Sequence, residues 1–188
     1  KLIEELSSVS PDTHNAHDEM EKAVLAGHVA RQLAATMSTE DTEEAVVCAM
    51  LHTLGRMMIS FYLPEQWAQV QAACADGGCT EEAAAQSALG VSLLEIGRLT
   101  TERWGLPESI SETLHDVPPA QPGQPLNHVQ WLAAVSTVSA RCAKVLHEDA
   151  PSADAEISHL ADSYAGMLGL EAPRMLAAVS HAQLTAEE

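Results

Sequence analysis

His52 closes a seven-residue apolar run, Ala45-Val46-Val47-Cys48-Ala49-Met50-Leu51, in a chain of 188 residues that carries nine histidines and 27 Asp and Glu. Imidazole and carboxylate are the donors that divalent metals take when helical spacing aims several of them at one point. By that test His52 is the best-placed ligand, with His28, His115 and Asp116 as the residues that would complete a site. A single histidine on an apolar helix has a plainer role as a hydrogen-bonded core residue. His115-Asp116 likewise has one, as a helix-terminal imidazole favoured by the helix dipole with Asp116 opening the loop. His14 and His17 lie three apart beside Asp18, a spacing that suits a surface metal but equally a solvated helix start. Cys74 and Cys79 flank Gly77-Gly78 and could form a redox pair, but their spacing matches no established thiol-redox motif, and free thiols are the better reading. No phosphate-binding glycine loop, Gly-x-Ser-x-Gly elbow or kinase signature occurs.

Helices must position these groups. Met20, Val24, Leu25, Val29, Leu33 and Met37 repeat at helical steps after Pro11, with Asp12 or Thr13 as the cap. Asp41 and Glu44 make an acidic capping box ahead of Ala45 to Leu51, which reads as the buried central helix, interrupted by Gly55. Pro64 restarts a helix, Gly77-Gly78 ends it, and Thr80, Ser92 and Asn127 cap those that follow. Gly105 supplies a left-handed end, and Pro118, Pro119, Pro122, Gly123 and Pro125 impose an irregular loop. Two helices, Ile157 to Leu168 and Ala172 to Leu184, close the chain. Strand signals are nearly absent, and the fold class is all-α.

The formal net charge is −18, from 27 acidic against nine basic residues. Such a surface argues against nucleic-acid backbones and anionic lipid, both of which need Lys and Arg. Hydrophobic residues make up 46% of the chain, too many for global disorder. The longest apolar run, Ala45 to Leu51, falls far short of the roughly 20 residues of a membrane span. Glu4 and Glu5 stand where a signal peptide would be basic and then apolar. A cytoplasmic protein with reduced thiols is expected.

The order of the motifs carries a family resemblance. The segment from Ala45 through His52-Thr53-Leu54-Gly55-Arg56 is similar to the HD-superfamily helix that ends in Leu-His-Asp-Ile-Gly and a basic residue. An apolar stretch to Leu63 and then Pro64-Glu65-Gln66-Trp67 follows. Gly90-Val91-Ser92-Leu93-Leu94-Glu95-Ile96-Gly97 and Arg103-Trp104-Gly105-Leu106-Pro107-Glu108-Ser109-Ile110 then resemble the Gly-x-x-His-x-x-Val-Gly and Arg-Trp-x-Leu-Pro-x-x-Ile elements of HDOD, the HD-related output domain. The resemblance implies an HD-like multi-helix bundle over 20–147, with two additional C-terminal helices in 148–188. Residues 1–19 then read as an N-terminal helix or the remnant of a missing helical region, because no Asp-Pro-x-Leu or Ala-Asn-Ser motif precedes Lys22. Trp104 is a candidate core aromatic, whose truncation would cost about 3–5 kcal/mol if buried.

HD phosphohydrolases, as the resemblance implies, hold metal with a first His, the His-Asp pair and a later Asp, and use it to activate water. Those positions fall on Lys22, His52, Thr53 and Ala134. One ligand of four remains, an ammonium replaces another, and a hard cation is poorly served. No metal or other cofactor and no enzyme activity are therefore expected, with His52, His115 and Asp116 as weak metal candidates. Arg56 is placed to contact an anion such as a cyclic dinucleotide phosphate, or else to pair with a carboxylate. The implied role is non-catalytic signalling through a partner protein, a fused signalling domain or a second copy in a homodimer. The competing readings are a phosphohydrolase with a relocated site and a small-ligand sensor.

Overall fold

Alanine, leucine and valine recur at helical spacing along most of the chain, and alanine and leucine are strong helix formers. The computed structural model describes residues 11–37, 41–75, 77–120, 123 and 125–186, with side chains from residue 15 onward. Residues 1–10, and the side chains of Asp12, Thr13 and His14, lie outside the described part. Among the described residues ten helices follow one another: α1 (Pro11–Met37), α2 (Thr42–Leu51), α3 (Leu54–Tyr62), α4 (Pro64–Ala75), α5 (Glu81–Leu89), α6 (Leu93–Arg103), α7 (Glu108–Glu112), α8 (His128–Glu148), α9 (Ala153–Tyr164) and α10 (Ala172–Ala186). No strand occurs among the described residues. The fold is an all-α bundle of the HD-like kind, with α9 and α10 as the two added C-terminal helices.

Three helix starts are fixed by side-chain caps. Thr80 Oγ1 accepts from the Ala83 N–H and Ser92 Oγ from the Glu95 N–H, each at 3.2 Å. Asn127 and Gln130 form a complete capping box at the head of α8. The Asp41 cap does not form, because the Asp41 carboxylate lies 3.5 Å from His128 Nδ1 on α8 instead of bonding its own helix. The break after α2 comes at His52-Thr53, and Gly55 sits inside α3. Gly55 is required for another reason: a Cβ there would stand 1.8 Å from the Leu93 carbonyl oxygen at the head of α6. Only a residue without a side chain lets the two backbones meet so closely.

The main core joins Val29 and Leu33 of α1, Cys48 of α2, Leu132, Val135 and Val138 of α8, and Tyr164, Met175 and Val179 of the tail. Residues 132 to 140 of α8 are all buried, so α8 and α1, rather than α2, are the central helices. Val47 of α2 is 42% exposed, because a contiguous apolar run winds right round a helix and only one side can face α1 and α8. Thr42–Tyr62 is long and apolar enough to cross a membrane by length and composition alone. It is broken at His52-Thr53, and part of its surface packs into the bundle.

A second cluster gathers Ile59, Trp67, Val70, Ala84, Ala85 and Leu93 from α3 to α6. Its aromatic centre is Trp67, 1% exposed, whereas Trp104 is 57% exposed and lies outside the core. Trp104 caps α6 just before Gly105 turns the chain away at φ 71°, which leaves its ring on the surface. Urea denaturation is expected to show Trp67→Ala losing about 3–5 kcal/mol, while Trp104→Ala stays within about 0.5 kcal/mol of the parent. Gly55→Ala pushes a methyl into the Leu93 main chain and is expected to cost about 3 kcal/mol by the same measurement.

Candidate functional site

His52 follows the last turn of α2, its side chain 5% exposed, and its Nε2 lies 3.3 Å from Asp116 Oδ1. Sixty-four residues separate the two, so the pairing is made by tertiary structure. Two buried hydroxyls from later helices place Asp116. Thr137 Oγ1 on α8 accepts from the Val117 N–H at 3.1 Å and donates to the His115 carbonyl at 3.4 Å. Tyr164 of α9 donates its hydroxyl proton to the Val117 carbonyl at 2.7 Å. The peptide groups on either side of Asp116 are thereby tied down, and its carboxylate turns toward His52 and toward Arg141 Nη2, 3.4 Å away. His115 turns the other way: it is exposed, and its Nδ1 lies 2.9 Å from the Glu112 carbonyl. Of the proposed pair, Asp116 reaches the site and His115 does not.

Around them lies a cleft of about 400 Å³ whose rim includes Arg56, Cys74, Cys79, Glu81, Arg141 and Lys144. Three of the chain's nine Lys and Arg converge here. Arg56 Nη2 donates to Glu81 Oε2, and Lys144 Nζ stands 3.3 Å from Glu81 Oε1. Burial by itself would raise the Glu81 pKa, but the charges of Arg56 and Lys144 outweigh it and hold the carboxyl below its ordinary value. The Asp116 carboxyl is also held low, chiefly by the hydrogen bond from His52 and, against the pull of burial, by the charges of His52 and Arg141. Glu81, Arg141 and Lys144 carry no local motif, and nothing in their own segments marks them as neighbours of His52.

The HD positions fare as follows. Lys22 is bound to the buried Glu19 at 2.9 Å, Thr53 donates its hydroxyl to the Met50 carbonyl at 3.2 Å, and Ala134 is a fully buried methyl. Only His52 offers a free metal-binding atom, its buried Nδ1 having no partner. An ammonium, an engaged hydroxyl and a methyl do not fit a divalent ion. Among the described residues, two triplets have the spacing for a metal, His17 with Asp18 and Glu21, and Asp41 with Glu44 and His128. Neither includes His52 or Asp116, and His28, half-buried on α1, joins neither.

Fold and site together define an HD-like all-α helical bundle. The family model of the HDOD domain matches residues 2–117, more than half of the chain, and the chain belongs to that family. No curated protein matches it. Among solved structures it is similar to a provisionally named phosphohydrolase from Shewanella amazonensis SB2B, with TM-score 0.65 and 22% identity over 92% of this chain and 62% of that one. It also resembles an HDOD domain protein of unknown function from Geobacter sulfurreducens, with TM-score 0.64 and 18% identity over 90% of this chain and 61% of the other. A third likeness is to the MmoQ response regulator from Methylococcus capsulatus str. Bath, with TM-score 0.61 and 18% identity over 85% and 61%. At these identities the likeness is one of fold, and this chain spans about three fifths of each of those chains.

The low pKa of Asp116 has a consequence with a definite sign. A carboxyl held lower in the folded state than its unfolded value of about 3.9 stabilises the fold above that pH. The stabilisation is lost as pH falls through the folded value. The stability gap between the parent and Asp116→Asn, followed by urea denaturation across a pH series, is expected to be largest above about pH 4 and to close in more acidic solution.

Proposed function

We propose that this chain is a non-catalytic regulatory module of bacterial signal transduction, acting in the cytoplasm through contact with a signalling protein or a fused signalling domain. The observation that carries the reading is the state of the HD positions. Lys22, Thr53 and Ala134 bring no ligand atom, and His52 is turned to the service of Asp116. The bundle holds close helix contacts, as at Gly55 against Leu93, and Arg56, Glu81 and Lys144 form a network of ion pairs beside His52. HD-type hydrolysis of a phosphate ester uses a metal-bound water, and Lys22, Thr53 and Ala134 bring no ligand that would hold the metal.

A partner-binding role is consistent with the surface. Phe61, Tyr62 and Trp104 expose 62%, 65% and 57% of their area, and a net charge of −18 favours a complementary basic partner. The response-regulator likeness agrees with a signalling setting at the level of fold.

Elemental analysis of chelator-free protein, paired with an assay on phosphomonoesters and phosphodiesters, tests this reading. Iron, manganese and zinc are expected to be substoichiometric and unchanged in His52→Ala, with no turnover above buffer. Stoichiometric metal that disappears in His52→Ala, together with hydrolysis, would establish the phosphohydrolase reading in its place. In-cell cross-linking is expected to recover a signalling protein as the contact.

A further inference from the structure

Cys74 lies in the last turn of α4 and Cys79 immediately precedes the Thr80 cap of α5, and the two sulfurs are 3.9 Å apart. Both are free thiols at the surface, Cys79 exposed and Cys74 partly so, and both line the rim of the cleft. A disulfide requires the sulfurs to close to about 2.05 Å, and open space at Gly77 and Gly78 leaves room for that movement. Gly77 takes φ 68°, and neither Gly77 nor Gly78 has any atom within 4 Å of where a Cβ would stand. The other two cysteines form an internal contrast. Cys48 and Cys142 are fully buried, and burial pushes the Cys142 thiol up to about 12.

We propose that Cys74 and Cys79 form a two-thiol modification site that a low-molecular-weight disulfide such as glutathione disulfide converts into an intramolecular disulfide. The Cys79 thiolate attacks one sulfur of the oxidant, making a mixed disulfide and releasing one glutathione thiolate, which takes up a proton. The Cys74 thiolate then attacks the Cys79 sulfur and expels the second glutathione. The protein loses two hydrogens and two electrons, and the oxidant becomes two thiols, so the step balances.

The surroundings favour the oxidised form. Burial, the neighbouring Cys79 thiol and the Glu81 carboxylate all push the Cys74 thiol up, and Lys144 only partly offsets them. A dithiol whose thiolate is poorly stabilised gains less from staying reduced, the reverse of a strongly oxidising pair. The consequence reaches the cleft through the chain itself. Glu81, two residues after Cys79, holds both Arg56 and Lys144, so a bond from Cys79 back to α4 restrains the carboxylate that organises the cations of the cleft. This site stands whether or not the protein is an enzyme.

The test is a thiol count on the folded protein before and after incubation with glutathione disulfide, together with intact mass and a non-reducing gel. Reduced native protein is expected to show two reactive thiols. After oxidation it should show none, with the mass lower by two hydrogens, the band still monomeric, and two thiols appearing only on denaturation. Cys74→Ser should stop at a single glutathione adduct on Cys79. Two thiols still reactive after incubation, stable glutathione on both cysteines of the parent, or disulfide-linked dimers would each overturn the proposal.

Discussion

Two hydroxyl groups hold the main chain on either side of Asp116, and the arrangement of the cleft follows from that restraint. Thr137 bonds the Val117 N–H and the His115 carbonyl, and Tyr164 caps the Val117 carbonyl. These are partly buried main-chain groups at the edge of an irregular proline-rich loop, where no regular ladder can satisfy them. With the peptides tied down, Asp116 has little choice but to face His52 and Arg141. The Arg141 guanidinium also lies 5.7 Å from the centre of the Tyr164 ring, so the clamp and the ion pairs share parts. Tyr164 belongs to one of the two added C-terminal helices, and the tail is therefore a structural part of the cleft rather than an appendage to it.

Charge within the cleft is arranged against the trend of the whole molecule. An acidic chain places Arg56, Arg141 and Lys144 together and balances them with Glu81 and Asp116. Partial burial makes the Arg56–Glu81 pairing stronger than a solvated one, because water screens it less. Arg56, Arg141 and Lys144 thus find their counter-charges inside the cleft they line.

Small side chains make the rest possible. The contact between α3 and α6 depends on Gly55 lying against the Leu93 carbonyl, and α1 meets α2 where a Cβ on Gly27 would stand 2.9 Å from Met50 Cγ. Alanines at 26, 30 and 34 of α1 and at 133, 134, 140 and 143 of α8 are buried. They let the central helices approach closely with little side-chain entropy to lose. A core built this way holds few aromatic residues, and the buried ones, Trp67 and Tyr164, each anchor a separate cluster.

The helical class, the caps at Thr80, Ser92 and Asn127 and the left-handed end at Gly105 could all be read from the chain, because each depends on neighbours within about one helical turn. The HDOD resemblance was legible for the same reason, as short motifs in a fixed order. What could not be read were the relations between distant segments. His52 and Asp116 are 64 residues apart, Glu81 and Lys144 63 apart, and Tyr164 and Val117 47 apart. Trp104 and Trp67 look alike as local text, yet only one is buried. Which face of a helix is covered, and which of two adjacent residues such as His115 and Asp116 turns inward, is decided when whole helices pack and buried polar groups must find partners. The amino-acid sequence by itself determined the helices and the order of the family motifs; the tertiary structure alone decided that His52, Asp116 and the cleft cations meet, because burial and long-range hydrogen bonding act only once the bundle has closed.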